Sequence, residues 1–263
     1  APLASYIPLA ALAAVLALVA WDMVEKPAFA TLLRASWGDA TVLLVPGLLS
    51  DGVVWRHVLS RLPAHVADLT TQSSLTEMAQ ACLDSAAGPL RLAGHSMGAR
   101  VCLEMVRLAP ERIERMALLD TGIHPLGPGE RERREAIIRL AHDEGMAALA
   151  ERWLPPMVAP RNRANAALME DLREMVLRMD PDIHERQIRA LVGRPDARPV
   201  LAGATCPVLL VVGSEDEWSP VAQHEQMLQL CPTARLSVVE GAGHFAPVEA
   251  PEEVTDLLVD FLT

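Results

Sequence analysis

The pentapeptide Gly94-His95-Ser96-Met97-Gly98 sets one serine in a Gly-x-Ser-x-Gly frame directly behind the short apolar run Leu90-Arg91-Leu92-Ala93. The segment that follows, Ala99 to Ala109, carries Val101, Leu103, Met105, Val106 and Leu108, a largely apolar pattern that predicts a helix. A strand that feeds a helix through so short a turn leaves Ser96 on a sharp bend with its hydroxyl exposed. Glycine at 94 and 98 removes side chains where strand and helix come together.

Outward from this turn, Thr41-Val42-Leu43-Leu44-Val45 is apolar after its first residue, as expected of a strand buried on both faces of a parallel sheet. Similar runs recur at Met116–Leu119, Val208–Val212 and Leu236–Val239, and helical patterns separate most of them. Ser74-Leu75-Thr76-Glu77 opens one helix with the spacing of a capping box. Ser219-Pro220 and Ala250-Pro251-Glu252-Glu253 open two more, each with proline expected at the first helical position. The alternation predicts an α/β fold with a doubly wound, mostly parallel sheet. It breaks once: the stretch between Asp120 and Cys206 shows no convincing strand but several amphipathic helices, one marked by Leu168, Leu172, Met175, Val176 and Met179, the next by Ile183, Ile188 and Leu191. The expected organisation is a hydrophobic, helical N-terminal segment over 1–26, a core over 27–122 and 206–263, and a helical cap inserted over 123–205. An insertion at the carboxyl ends of the strands roofs any crevice there.

A chain of 263 residues with 51% hydrophobic content buries a sizeable core. Its net charge of −11 argues against a nucleic-acid surface, which needs clustered Lys and Arg. Cys82, Cys102, Cys206 and Cys231 form no C-x-x-C pair and lie mostly in apolar segments, so they read as small buried hydrophobes, with neither zinc nor a disulfide framework indicated. The N-terminus holds no charged residue from Ile7 to Trp21. It is marginal in length for a membrane helix, and no basic stretch of a secretory signal precedes its apolar run. A helix packed on the body or on a partner is the first reading. A membrane anchor through residues 3–24 and a retained targeting segment are the alternatives. The expected location is cytoplasmic, with membrane association or export as the alternative.

A serine hydroxyl is a poor nucleophile and needs a base within hydrogen-bond reach and a carboxylate to orient that base. The loop Gly213-Ser214-Glu215-Asp216-Glu217-Trp218-Ser219-Pro220 follows one strand, and Gly241-Ala242-Gly243-His244-Phe245 follows the next, which places Asp216 and His244 at neighbouring strand ends. Ser96, Asp216, His244 is the chain order expected when all three come from successive strand ends. Neither a metal nor an organic cofactor is needed for this chemistry.

With these marks, and with Gly47 after the first apolar strand and Pro251-Glu252 shortly after Gly243-His244, residues 41–263 resemble the α/β-hydrolase superfamily, in its branch of capped esterases, lactonases and C–C hydrolases. The resemblance implies an oxyanion hole formed by the backbone N–H groups of Met97 and Leu48. It makes Asp120, at a strand end, a rival triad acid, because some hydrolases of this fold take the acid from there. Two departures stand out: Pro46-Gly47 replaces the His-Gly of many relatives, and only Pro27 to Gly38 could supply the usual opening strand hairpin. Gly47, Leu49, Ile123, Trp153 and Phe245 are the expected pocket residues. Among the histidines, His95 is expected to pack behind the turn, while His57 and His124 read first as solvated loop residues, with a place in the pocket lining as the alternative. The Arg131–Glu135 charge run reads as a solvated helix face. The implied activity is hydrolysis of a small carboxylic ester or lactone through an acyl-enzyme. Few arginines can be assigned to the pocket from sequence, so the substrate is expected to be largely uncharged. The alternatives are a C–C bond hydrolase or enol-lactonase of aromatic catabolism, and a non-catalytic ligand receptor on a hydrolase scaffold.

Overall fold

A computed structural model describes residues 40–263. The apolar segment 1–26 and the stretch Pro27–Gly38 lie outside the described residues. Six strands form one parallel sheet in the order β2-β1-β3-β4-β5-β6: β1 is Thr41–Val45, β2 His65–Val66, β3 Leu90–His95, β4 Ile113–Leu119, β5 Val208–Gly213 and β6 Ala234–Val239. All five expected runs are strands. Every residue of β5 is buried, as is all of β1 after Thr41, because helices cover both faces of a parallel sheet. The edge strand β6 buries only Val239. The two-residue β2 at the other edge had no hydrophobic pattern to announce it.

Between and around the strands run α1 (Arg56–Arg61), α2 (Leu75–Asp84), α3 (Met97–Leu108), α4 (Glu130–Trp153), α5 (Ala166–Leu177), α6 (Pro181–Val192), α7 (Arg198–Ala202), α8 (Val221–Leu230), α9 (Ala246–Glu249) and α10 (Pro251–Leu262). The start signals work as their chemistry requires. Ser74 Oγ accepts the Glu77 N–H at 3.1 Å, although the Glu77 carboxylate reaches back one residue further than expected, to the Ser73 N–H. Pro251 is the first residue of α10, whereas Pro220 sits one position earlier than expected, as the cap of α8. Asp180 caps α6 by accepting the Ile183 N–H at 2.7 Å.

Four helices, α4 to α7, fill the stretch between β4 and β5, and no strand interrupts them. They follow the carboxyl end of β4, the same sheet edge at which Ser96 follows β3. Leu172, Met175 and Val176 of α5 and Ile188 and Leu191 of α6 are buried as the sequence pattern requires. Helix α4 is kinked at Gly145, whose φ of 85° only glycine adopts readily. Among the described residues no helix is long and apolar enough to cross a membrane. All four cysteines are free and buried, and burial pushes the Cys82 thiol up to about 12.

Candidate active site

The turn between β3 and α3 holds Ser96 at φ 54°, ψ −114°, a strained conformation for a residue with a side chain. The strain is locked in by close packing. A Cβ on Gly98 would lie 2.1 Å from the Val45 carbonyl oxygen, and one on Gly94 would lie 2.6 Å from the backbone of Ala99. Ser96 is tied on both sides of its peptide, its N–H donating to Leu119 O at 2.9 Å and its carbonyl accepting the Thr121 hydroxyl at 2.9 Å.

The two downstream loops bring their side chains to this serine. His244 Nε2 accepts the Ser96 hydroxyl at 2.8 Å, and His244 Nδ1 donates to Asp216 Oδ2 at 2.9 Å. Asp216 Oδ1 accepts the N–H groups of Trp218 and Ser219 at 2.8 and 2.9 Å. Burial works against the charge of Asp216, but the facing His244 and these two amides outweigh it and hold the carboxyl below its ordinary range. The bond to Asp216 fixes the imidazole with its proton on Nδ1, which leaves Nε2 as an acceptor toward the hydroxyl.

Asp120 is turned elsewhere. Its Oδ1 accepts the Gly213 N–H at 2.9 Å, while Oδ2 has no hydrogen-bond partner and lies 3.8 Å from His95 Nε2. Complete burial, and then the nearby Asp216 charge, push its carboxyl well above the ordinary range. His95 is packed behind the turn, and its Nε2 also does a second job, donating to the His244 carbonyl at 2.7 Å. Burial and the neighbouring His244 lower it to about 3, so the ring is neutral.

A cavity of about 650 Å³ opens over Ser96 and His244 and is lined also by Leu48, Met97, Thr121, Trp153, Met157 and Trp218. Met97 is the first residue of α3, so its N–H has no intrahelical partner, and neither its N–H nor that of Leu48 meets an acceptor among the described residues. Of the expected pocket residues only Trp153 faces this cavity. Gly47, Leu49, Ile123 and Phe245 lie a layer behind it: Leu49 is fully buried, and the Phe245 ring packs edge-on against Trp153 at 6.1 Å between centroids. His124 borders the cavity, whereas His57 is an exposed helix residue.

Sequence reasoning missed the charge of the cavity wall. Five arginines line it, Arg100, Arg133, Arg134, Arg152 and Arg194, against two carboxylates, Glu130 and Glu217. Arg134 belongs to the charge run expected to be a solvated face, yet it is 9% exposed and bonded to Glu130 at 2.7 Å. The scarcity of assignable arginines, on which the expectation of an uncharged substrate stands, does not hold for this cavity wall. Arg100 was within reach of sequence reasoning, because it stands one helical turn after Ser96. Arg133, Arg134 and Arg152 come from α4 and Arg194 from the turn after α6, all far along the chain.

The inserted helices are also tied to the site. Gln187 Oε1 accepts the Leu49 N–H at 2.9 Å and its Nε2 donates to Leu69 O at 3.1 Å. The His244 N–H donates to Met157 O at 2.8 Å, and Glu249 accepts the N–H groups of Ala159 and Phe245. Neither Gln187 nor Glu249 carries a motif that sequence could single out.

Comparison with known proteins places this geometry in context. A model of the alpha/beta hydrolase family matches residues 31–257. Polyketide synthase ThaQ of Burkholderia thailandensis is 28% identical over 85% of this chain, which spans only 12% of that synthase. A pimeloyl-[acyl-carrier protein] methyl ester esterase of Photobacterium profundum is 25% identical, covering 84% of this chain and 94% of the relative. Among solved structures, a thermophilic esterase from Thermogutta terrifontis superposes with a TM-score of 0.78 at 27% identity, over 85% of this chain and 89% of that one.

Proposed function

Because the chain belongs to the alpha/beta hydrolase family, we propose that it is a serine hydrolase that cleaves a carboxylic ester or lactone through an acyl-enzyme. The observation that carries this reading is the unbroken relay from Ser96 Oγ through His244 to Asp216, with hydrogen bonds of 2.8 and 2.9 Å. In the proposed mechanism Ser96 Oγ attacks the substrate carbonyl carbon while His244 Nε2 takes the hydroxyl proton. Asp216 holds the imidazole in the productive tautomer and stabilises the imidazolium that forms. The negative charge that develops on the carbonyl oxygen is received by the N–H groups of Leu48 and Met97, each such donor contributing on the order of 3 kcal/mol to the transition state. His244 then returns the proton to the leaving alkoxide as the acyl-enzyme forms, and water, its proton taken by the same nitrogen and passed on to Ser96 Oγ, releases the acid. Helices α4 to α7 act in this reading as a cap that shapes the acyl and alcohol sites.

A fluorophosphonate probe tests the proposal. Wild-type protein is expected to be labelled at Ser96 and to hydrolyse a short-chain p-nitrophenyl ester, and Ser96→Ala is expected to do neither. Folded wild-type protein that takes no label and turns over no ester would make the chain a binding protein instead. Hydrolysis that persists in Ser96→Ala would remove the mechanism.

A further inference from the structure

We propose that the cavity above Ser96 holds an anionic arm of the substrate, a carboxylate or a phosphate, through Arg100 and Arg134. This deepens the hydrolase reading and rests on it: the ester cleaved at Ser96 carries a second, negatively charged group.

The charge balance points this way first. A chain of net charge −11 gathers five arginines around one cavity and sets two glutamates beside them. The arginines are not equivalent. Arg194, whose side chain is 6% exposed, is saturated by the carbonyls of His124, Pro125 and Leu191 and by both oxygens of Glu130. It braces the backbone that leaves β4 and has nothing left to offer a ligand. Arg133 and Arg152 are exposed and face water. Arg134 and Arg100 differ from all of these. Arg134 gives only its Nε to Glu130, and its two Nη groups meet no acceptor among the described residues. Arg100 gives Nη2 to the His124 carbonyl at 3.0 Å, while its Nη1 is buried and has no acceptor.

A buried donor with no acceptor carries a desolvation penalty, and a larger one when the group is charged. At Arg100 the carboxylates of Glu130 and Asp196 act only through space, and Glu130 is already bonded to Arg134 and Arg194. Burial, and then the Arg194 charge, lower Arg100 to about 9, so it remains charged at neutral pH in surroundings that penalise the charge. An oxyanion in the cavity would supply the missing acceptor and relieve the repulsion at once. Arg100 also borders a void of about 10 Å³, which holds at most one water, so the large cavity is where an anion fits. The placement suits a bifunctional substrate: Arg100 lies four residues beyond Ser96 on α3, about 6 Å along the helix axis, and a flexible arm of a few carbons joins a carbonyl at Ser96 to an anion there.

The test uses the full chain and two chain-matched substrates, mono-p-nitrophenyl adipate with its carboxylate free and the same ester with that carboxylate capped as a methyl ester. Wild-type protein is expected to favour the free acid by at least about tenfold in kcat/KM at low ionic strength, with the preference shrinking as salt is added. In Arg100→Gln and Arg134→Gln the ratio is expected to fall toward one, whatever happens to the absolute rates, and Arg100→Lys is expected to keep part of it. Calorimetric titration of Ser96→Ala with adipate and, separately, with a short alkyl phosphate reads binding without turnover and tells carboxylate from phosphate. Equal or better hydrolysis of the capped ester by wild type, or no binding of either anion by Ser96→Ala, would overturn the proposal while leaving Ser96-dependent hydrolysis intact. Hydrolysis of both esters by Ser96→Ala would instead strike the nucleophile assignment.

Discussion

Asp216→Asn tests the relay at the point where the structure makes the sharpest statement. Asp216 Oδ1 faces two backbone donors, the N–H groups of Trp218 and Ser219, and Oδ2 faces a third, His244 Nδ1. An asparagine must keep its oxygen on the two amides, because the opposite orientation would set an NH2 group against two N–H groups. Its nitrogen then meets His244 Nδ1, which can only accept, so the ring proton moves to Nε2. The Ser96 hydroxyl then meets a donor where it had an acceptor. The expected loss is on the order of 10⁴ in kcat, equivalent to about 5 kcal/mol of transition-state stabilisation. Stability is expected to fall far less, by about 1–3 kcal/mol for one charge-assisted bond made neutral. Asp120→Asn is the matched control. Burial and the Asp216 charge push the Asp120 carboxyl well above its ordinary range, and asparagine keeps its one bond to the Gly213 N–H. Its kcat is expected to stay within about threefold of wild type, since the hydrogen-bond inventory is preserved. Steady-state hydrolysis of a p-nitrophenyl ester, with thermal melts of each variant, decides the matter. A folded Asp216→Asn that retains a tenth of the activity, or an Asp120→Asn that matches its loss, would refute the reasoning.

Gly98→Ala is expected to cost a few kcal/mol of stability and at least about 10² in kcat, because its methyl group would sit 2.1 and 2.5 Å from the carbonyl oxygens of Val45 and Pro46 and would push β1's end, with Leu48, away from Ser96; melting and burst kinetics check both. Gln187→Ala strands the buried Leu49 N–H and Leu69 carbonyl, and urea unfolding is expected to show a loss of about 2–4 kcal/mol, with kcat reduced because the chain beside Leu48 is no longer held. His224 is buried with Nε2 accepting the Thr121 N–H, and burial lowers it to about 4. The unfolded chain binds this proton from about pH 6.5 downward while the folded chain resists it, so the contribution is present above pH 6.5 and is lost as pH falls toward 4, about 1–2 kcal/mol by pH 5. His224→Gln is expected to flatten the fall in urea midpoint between pH 7 and pH 5, and an unchanged slope would remove His224 as the cause.

The elements that sequence disclosed and those it hid differ in how local their physics is. Strands buried on both faces are largely apolar, so β1, β3, β4 and β5 were visible, and the edge strand β6, which buries only Val239, still carried the run Leu236–Val239, while β2, two residues at the other edge, imposes no pattern. The glycines at 94 and 98 were legible because a strained turn excludes side chains by steric contact within a few residues and with the adjoining strand. Ser96, Asp216 and His244 were legible by their order on strand ends, although only geometry shows which carboxylate, Asp216 or Asp120, faces the imidazole. The arginines were not legible. Arg134 sits in a run of charges that would look the same on a solvated face, and its burial depends on α4 lying over the strand ends.

The same helices set a mechanical condition on the site. The strained backbone at Leu49, with φ 55°, is held by Gln187 of α6, and the His244 loop is held by Met157 O and, through Glu249, by Ala159. The loops flanking Ser96 are therefore anchored to the insertion that lines the cavity, and so is the backbone that carries the proposed oxyanion donor. Arg134 and Arg194 stand on that insertion, sharing Glu130 at the start of α4, whereas Arg100 belongs to the helix that begins at Ser96. A ligand that bridges Arg100 and Arg134 would draw the insertion toward the nucleophile helix, tightening the contacts that position Leu48 and His244. Binding energy from the charged arm would then appear in kcat as well as in KM. Truncating the arm should lower both kcat and kcat/KM, whereas an insertion that served only as a passive wall would let the truncated ester reach the same kcat at higher concentration.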